Sequence, residues 1–146
     1  MSEELVEVKL LDVVSLITAG GRMPAILLED DRERILPIIV GGEVALSLKS
    51  VMIGEKPLED DIWTIAYNMI NVHGSVEEAV IYGVKESRFL SYVTLKLKEE
   101  KLKVKCKPSD SVSLAVRAKT PIKVSKKVMD EYSLDKSQLK PQHEPS

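Results

Sequence analysis

The stretch KLKVKCKPSDSVSLAV, residues 101–116, predicts a strand and a helix that are joined at a proline. From Lys101 to Lys107 lysine alternates with an apolar residue, which is the period of a β-strand with one polar and one apolar face. After Pro108 the apolar residues have helical spacing, and the helix opens with the polar residues Ser109 and Asp110. The stretch therefore predicts a strand that leads directly into a helix whose first turn carries a carboxylate.

The same arrangement occurs earlier in the chain. At an offset of 67 residues, DRERILPIIVGGE (31–43) aligns with KEEKLKVKCKPSD (98–110), so Glu43 corresponds to Asp110. Two ordinary hairpins that resemble each other by coincidence are the alternative. We predict an α+β fold with a mainly antiparallel sheet, built from a duplicated unit of three strands and two helices. The predicted strands are 5–14, 25–30, 34–40, 76–84, 88–98 and 101–107, and the predicted helices lie within 41–54, 57–74, 109–118 and 125–134.

The composition fits one domain. The 146 residues are 44% hydrophobic, which is enough for one core, and 21 basic against 23 acidic residues leave no global field that attracts nucleic acid. The single cysteine excludes an internal disulfide, and no apolar run approaches the roughly 20 residues that span a bilayer. We predict a cytoplasmic protein with no membrane partner, one domain over residues 1–134 and a disordered polar tail over 135–146.

The lysine row is the strongest local charge pattern. Alternate strand residues share a face at a spacing of about 6.6 Å, so Lys101, Lys103, Lys105 and Lys107 form one row. If residues 99–100 form the turn, Lys96 and Lys98 also face this row, and like charges opposite one another are destabilising. An extended nucleic-acid strand would relieve that repulsion, and Lys103, Lys105 and Lys107 are the candidate phosphate contacts.

The alternative is that these lysines keep an exposed edge strand soluble. In that interpretation Glu7, on a neighbouring strand, neutralises part of the row.

Carboxylates open three of the predicted helices. Glu43 follows Gly41 and Gly42, Asp110 follows Pro108, and Asp60 and Asp61 open the helix between them. Capping and compensation of the helix dipole are their ordinary roles. Two acidic corners that met near a pseudo-two-fold axis would instead offer hard oxygen ligands to Mg²⁺ or Mn²⁺. The candidate metal ligands are Glu43, Asp60, Asp61 and Asp110.

The second predicted helix contains aromatic residues outside its expected core stripe. Trp63 and Tyr67 are four residues apart, and aromatic residues are enriched at interfaces, so we predict that they lie in a homodimer interface. A helix edge that packs within one chain would also explain them. Pro37 cannot donate a ladder hydrogen bond, which predicts a sheet edge or a bulge at that position. An edge there would also favour self-association. The predicted core stripe is Ile62, Ala66, Met69 and Ile70.

Three motifs together resemble the bifunctional nuclease domain family. They are LPIIVGGEVALSL (36–48), KPLEDDI (56–62) and CKPSDSVSLAVRAKTPIKV (106–124), and the resemblance covers about residues 5–134. It implies an α+β fold, often dimeric, and a nuclease activity on DNA and RNA. Residue by residue, the family pattern is matched by Glu43, Asp61, Pro108, Ser109 and Asp110.

The chain also departs from the family pattern. Asp60 stands where the family has histidine and Glu59 where it has threonine. Lys105 replaces an aspartate and Lys107 replaces an arginine. The chain thereby lacks one candidate base and one candidate metal ligand.

The resulting hypothesis is metal-dependent hydrolysis of DNA or RNA, with Glu43, Asp61, Ser109 and Asp110 as catalytic candidates. The alternative is a non-catalytic, dimeric interaction module.

Overall fold

A computed structural model describes residues 4–54 and 61–138. Glu59, Asp60 and most of the predicted tail, residues 139–146, lie outside the described residues. The elements are β1 (Leu5–Thr18), β2 (Gly21–Glu29), β3 (Arg34–Ile39), α1 (Gly42–Met52), α2 (Ile62–His73), β4 (Gly74–Lys85), β5 (Arg88–Leu97), β6 (Glu100–Cys106), α3 (Pro108–Ala118), β7 (Ile122–Ser125), α4 (Lys126–Tyr132) and β8 (Leu134–Asp135).

The described strands form one sheet in the order β6-β5-β4-β7-β1-β2-β3-β8. All neighbouring pairs are antiparallel except β4 and β7, which are parallel. The predicted α+β class with a mainly antiparallel sheet is therefore confirmed. Within the described residues β8 pairs only with Arg34 and Ile35, so Pro37 stands on a part of the β3 edge that no described strand covers.

The two halves share an element order but differ in one strand. Each half contains an antiparallel meander of three strands that leads into a helix. The second half then adds β7, which pairs with β1 and β4 and so joins the two meanders. The sequence interpretation missed β7, because four residues after Pro121 are too few to establish a period. The duplication itself stays a prediction.

Nor was β8 predicted, since it lies at the junction with the expected tail. Asp135, the first residue of that tail, pairs with Arg34 of β3.

One face of the sheet packs against the helices to form the main core. Ile26 pairs with Ile38 and Leu28 with Leu36, so their side chains share that face. These residues are fully or almost fully buried, and burial of each such side chain contributes about 1.5–3 kcal/mol. The helical residues of the same cluster are Val44, Ala45, Leu48, Val112, Ala115, Val128 and Met129.

Two of the four residues that were predicted to form the core-facing side of α2 face outward instead. Ala66 and Ile70 do face the protein, where they pack with Tyr67 against a second cluster made of Val76, Val93, Leu95 and Leu114. Trp63 packs against the main core. Ile62 and Met69, which were expected inside, are 61% and 69% exposed. The two aromatic residues thus occupy the inner side of α2 within one chain.

The β5–β6 hairpin has a different register from the predicted one. Leu97 pairs with Glu100, so the turn is formed by Lys98 and Glu99, and Lys98 adopts a left-handed φ of 58°. As a result Lys103 faces Thr94 and Lys105 faces Tyr92. Only Lys96 and Lys101 oppose each other as like charges, so the expected crowding of six lysines was wrong.

Glu7 does not neutralise the lysine row. It pairs with Lys123 of β7, and three strands separate β1 from β6.

None of the helices in residues 4–54 and 61–138 combines the length and the apolar character that a membrane span needs.

Candidate functional site

The two acidic strand-to-helix corners line one open cleft of about 1220 Å³. Glu43 reaches it from the start of α1, and Ser109 and Asp110 reach it from the start of α3. β3 and β6, which lead into these helices, lie far apart in the sheet order. The helices nevertheless pack against each other, and their first turns meet at the cleft.

Asp110 is held by the indole of Trp63, which also lines the cleft. Trp63 Nε1 donates a hydrogen bond to Asp110 Oδ1 at 2.8 Å. Asp110 lies in the first turn of α3, where the positive end of the helix dipole stabilises its charge. The carboxylate is therefore fixed in orientation while it faces the cleft.

Ser109 follows the N-cap of α3 and does not cap the helix itself. The N-cap is Lys107, without a capping side-chain hydrogen bond, because Pro108 takes the first helical position. Ser109 thereby lies inside the first turn and is 9% exposed.

Asp61 belongs to a buried ion pair and does not line the cleft. Its Oδ2 lies 3.5 Å from Arg117 Nη2, and both side chains are 6% exposed. Its Oδ1 accepts from the Thr64 amide at 2.9 Å, which caps α2. Burial alone would raise the pKa of Asp61, but hydrogen bonds from Ser47 and Thr64 and the charge of Arg117 lower it below its usual value.

Arg117 joins three helices and was missed by the sequence interpretation. Its guanidinium contacts the Ser47 hydroxyl of α1, the Thr64 hydroxyl of α2 at 3.4 Å, and the Ser113 carbonyl of α3 at 3.2 Å. Burial lowers its pKa, and the Asp61 charge opposes that shift. An arginine four residues after a serine on a core-facing helix was the signal that could have indicated it.

Among the described residues, four basic and three acidic side chains line the cleft, and only part of the predicted lysine row reaches it. Lys105 and Lys107 line it, whereas Lys103 does not. Lys103 Nζ instead lies 4.9 Å from the centroid of the Tyr92 ring, a cation–π contact. Lys85 and Arg88, from the end of the β4–β5 hairpin, also line the cleft and were not predicted.

Cys106 brings a thiol to the lining of the same cleft. Burial raises the pKa of this thiol, and the charge of Asp110 raises it further. The thiol is consequently protonated at neutral pH, so Cys106 is a packing residue and not a reactive nucleophile.

The described carboxylates provide a partial donor set for a metal. In residues 4–54 and 61–138 no three acidic, histidine or cysteine side chains gather closely enough to hold an ion by themselves. Glu43 and Asp110 face the same cleft, and Mg²⁺ is commonly held by one or two carboxylates together with substrate phosphates. Both side chains are hard oxygen donors of the type that such an ion takes. Asp61, in its ion pair, does not join them.

Two acidic helix starts and several basic side chains thus line one cleft of this α+β protein. The family model of the bifunctional nuclease domain matches residues 25–137, which include both corners. The chain therefore belongs to the bifunctional nuclease domain family. The comparison with individually curated proteins gave no match.

Proposed function

We propose that this protein is a nuclease that hydrolyses phosphodiester bonds of DNA or RNA in the presence of Mg²⁺ or Mn²⁺. One observation carries the proposal: Glu43 and Asp110, which begin two different helices, line one cleft together with Lys105 and Lys107. Membership of the bifunctional nuclease domain family supports the reaction type. The single cysteine suits a reducing compartment, and we place the activity in the cytoplasm.

The side chains of the cleft divide into two groups by charge. Lys105, Lys107 and Arg88 would bind the phosphate backbone and hold the scissile bond near the acidic corners. Glu43 and Asp110 would hold the divalent ion, with Asp110 oriented by Trp63. A bound divalent ion would polarise the phosphoryl oxygen and lower the pKa of attacking water.

Asp61 has a supporting role in this proposal. Its ion pair with Arg117 fixes the start of α2, and α2 carries Trp63 to Asp110. Ser109 is nearly buried in the first turn of α3, so we assign it a structural role at the start of that helix.

Cleavage of labelled substrates tests the proposal. Single-stranded and duplex DNA and RNA are incubated with Mg²⁺, with Mn²⁺ and with a chelator. We expect metal-dependent cleavage that Asp110→Asn strongly reduces and that Asp31→Asn, a matched change in an exposed turn, leaves unchanged. Cleavage at the wild-type rate in Asp110→Asn would identify a contaminant or a different site.

A second candidate function is a non-catalytic homodimeric interaction module. It is supported by α2, whose outer side exposes Ile62, Ile65, Met69 and Val72, at 61%, 39%, 69% and 69%. Trp63 and Tyr67 pack inward and are accounted for without a partner. Light scattering over micromolar to high concentration tests self-association, and a mass of 16.3 kDa throughout would contradict it.

A further inference from the structure

We propose that Tyr82 stacks on an unpaired base of the substrate, which makes single-stranded DNA or RNA the preferred substrate of the cleft. The inference rests on the proposed function and names the form of nucleic acid on which it acts. Tyr82 lies on β4 and lines the cleft together with Glu43 and Asp110. The contact adds recognition of a base to the recognition of phosphates by the lysines.

A β-bulge in β4 lies at Tyr82. In the pairing of β4 with β5, Ile81 faces Ser91. The next pair is Gly83 with Leu90, which leaves Tyr82 as an extra residue on β4. A bulge bends its strand and re-aims a side chain, and bulges are over-represented next to active sites. Tyr82 is only partly buried and reaches the lining of the cleft.

Tyr92 of β5 supports the ring of Tyr82. The two ring centroids are 5.6 Å apart and the ring planes meet at 36°, a distance at which aromatic rings attract each other. Lys103 Nζ lies 4.9 Å from the centroid of the Tyr92 ring and makes a cation–π contact with it. Tyr92 does not line the cleft itself, so Tyr82 is the ring of this pair that a substrate can reach there.

An exposed cation lies beside the tyrosine pair. Lys105 is directly opposite Tyr92 in the pairing of β5 with β6, so these two side chains share one face of the sheet. Lys105 is exposed and lines the cleft together with Tyr82. Proteins that bind single strands combine basic side chains along the backbone with aromatic rings on which bases stack. Tyr82 and Lys105 provide one group of each kind at the same cleft.

Stacking on Tyr82 needs a base that an intact duplex does not offer. In a double helix both faces of each base are covered by neighbouring bases, and a protein ring stacks on a base only where it is unstacked. A single strand presents bases and phosphates together, so it engages Tyr82 and Lys105 at once. The alternative role of the tyrosine pair is packing between β4 and β5 alone, which stabilises a sheet without any ligand.

Binding measured in a chelator tests the contact without cleavage of the probe. The full chain is titrated against a labelled oligothymidylate, an abasic single strand of the same length and a blunt DNA duplex, and fluorescence anisotropy gives each Kd. Tyr82→Leu should raise the Kd for the oligothymidylate roughly tenfold, because that probe loses its stacking partner. The Kd values for the abasic strand and the duplex should stay within about twofold of wild type, because neither offers an accessible base.

Two further variants separate stacking from folding. Tyr82→Phe keeps the ring and should bind all three probes as wild type does, since stacking does not need the hydroxyl group. Tyr132→Leu removes a tyrosine of α4 that is 40% exposed and lies outside the cleft, and it should leave all three Kd values unchanged. Circular dichroism and thermal melting check that each variant is folded.

The outcomes distinguish this inference from the nuclease itself. An unchanged Kd for the oligothymidylate in Tyr82→Leu, or an equal loss for all three probes, would overturn the stacking contact and leave the tyrosine pair as packing between strands. Metal-dependent cleavage would then still support the nuclease. Binding that depends on the Tyr82 ring in a chain that cleaves nothing with Mg²⁺ or Mn²⁺ would overturn the nuclease and support the stacking contact. A chain that neither binds nor cleaves would overturn both.

Discussion

The indole Nε1 of Trp63 donates a hydrogen bond to Oδ1 of Asp110 at 2.8 Å. This bond connects α2 to the first turn of α3 at the cleft. Trp63 is the single tryptophan of the chain, so its fluorescence reports directly on the acidic corner.

Trp63→Phe should keep an aromatic ring and lose the donor. A hydrogen bond to a charged group contributes about 1.5–3 kcal/mol, and we expect a loss of unfolding free energy in that range. The cleavage rate should fall by more than the loss of folded protein accounts for, because the Asp110 side chain is then no longer held in one orientation. Tyr67→Phe, a neighbouring inward aromatic on the same helix, is the control. Equal cleavage rates for Trp63→Phe and wild type would contradict the orienting role.

Asp61→Asn should destabilise the fold by about 3–5 kcal/mol, because it leaves Arg117 buried without its counter-charge. Urea unfolding at neutral pH measures this. Lys49→Gln, which breaks the exposed pair between Lys49 and Asp12, should change stability by about 1 kcal/mol or less. Similar losses in the two variants would contradict the account of the buried pair.

The ion pair also predicts a pH dependence. The folded-state pKa of Asp61 is lowered, so its contribution is fully present above the unfolded value of about 3.9 and is lost as pH falls through the folded value. Unfolding midpoints measured from pH 7 downwards should decrease below about pH 4 in wild type. The decrease should be shallower in Asp61→Asn. Parallel curves would mean that another carboxylate controls acid unfolding.

Gly74→Ala should be strongly destabilising, because the added Cβ would lie 2.1 Å from the Lys96 carbonyl oxygen. The obstacle is backbone of the neighbouring strand and cannot move aside cheaply, so we expect a loss of about 3 kcal/mol. Gly83→Ala meets nothing nearer than 4.0 Å and is the control in the same strand. Thermal melting of both variants measures the difference, and equal melting temperatures would contradict the close β4–β5 contact.

Lys105 and Lys107 should carry the salt dependence of nucleic-acid binding. Each phosphate contact to a single strand contributes about −0.7 to the slope of log K against log salt. Replacing both with glutamine should therefore flatten the slope by about 1.4 units. Lys103→Gln should change the slope less, since Lys103 lies over the Tyr92 ring and outside the cleft. An unchanged slope in the double variant would reduce these lysines to a solubilising role.

Strands and helices with a clear hydrophobic period were predicted correctly from the sequence. Features that depend on only a few residues, such as a turn or the orientation of a helix, were not. The alternation in β6 and the helical spacing after Pro108 correctly predicted a strand and a helix. The hairpin register depended on which two residues form the turn, and a left-handed Lys98 is not apparent from composition. The orientation of α2 was ambiguous because both of its sides are apolar, and only packing distinguishes them.

The candidate site was also predictable only in part, because some of its residues follow a local sequence pattern and others are brought together by the fold. The correspondence between Glu43 and Asp110 indicated two corners, and both line one cleft. Asp61 carries the same side chain at another helix start, yet it is buried in a pair with Arg117, which is 56 residues away in the chain. No local pattern connects such a pair. Lys85 and Arg88 come to the cleft through the path of the β4–β5 hairpin, which the sequence alone does not fix.

The claim that both acidic corners form one catalytic site is tested most directly by a double-mutant cycle on cleavage rate. Wild type, Glu43→Gln, Asp110→Asn and the double variant are compared under single-turnover conditions with Mn²⁺, after melting curves confirm equal folding. Residues that act as a unit are not additive, so the double variant should lose no more activity than the more damaged single variant. Losses that multiply, or a Glu43→Gln variant as active as wild type, would contradict the account.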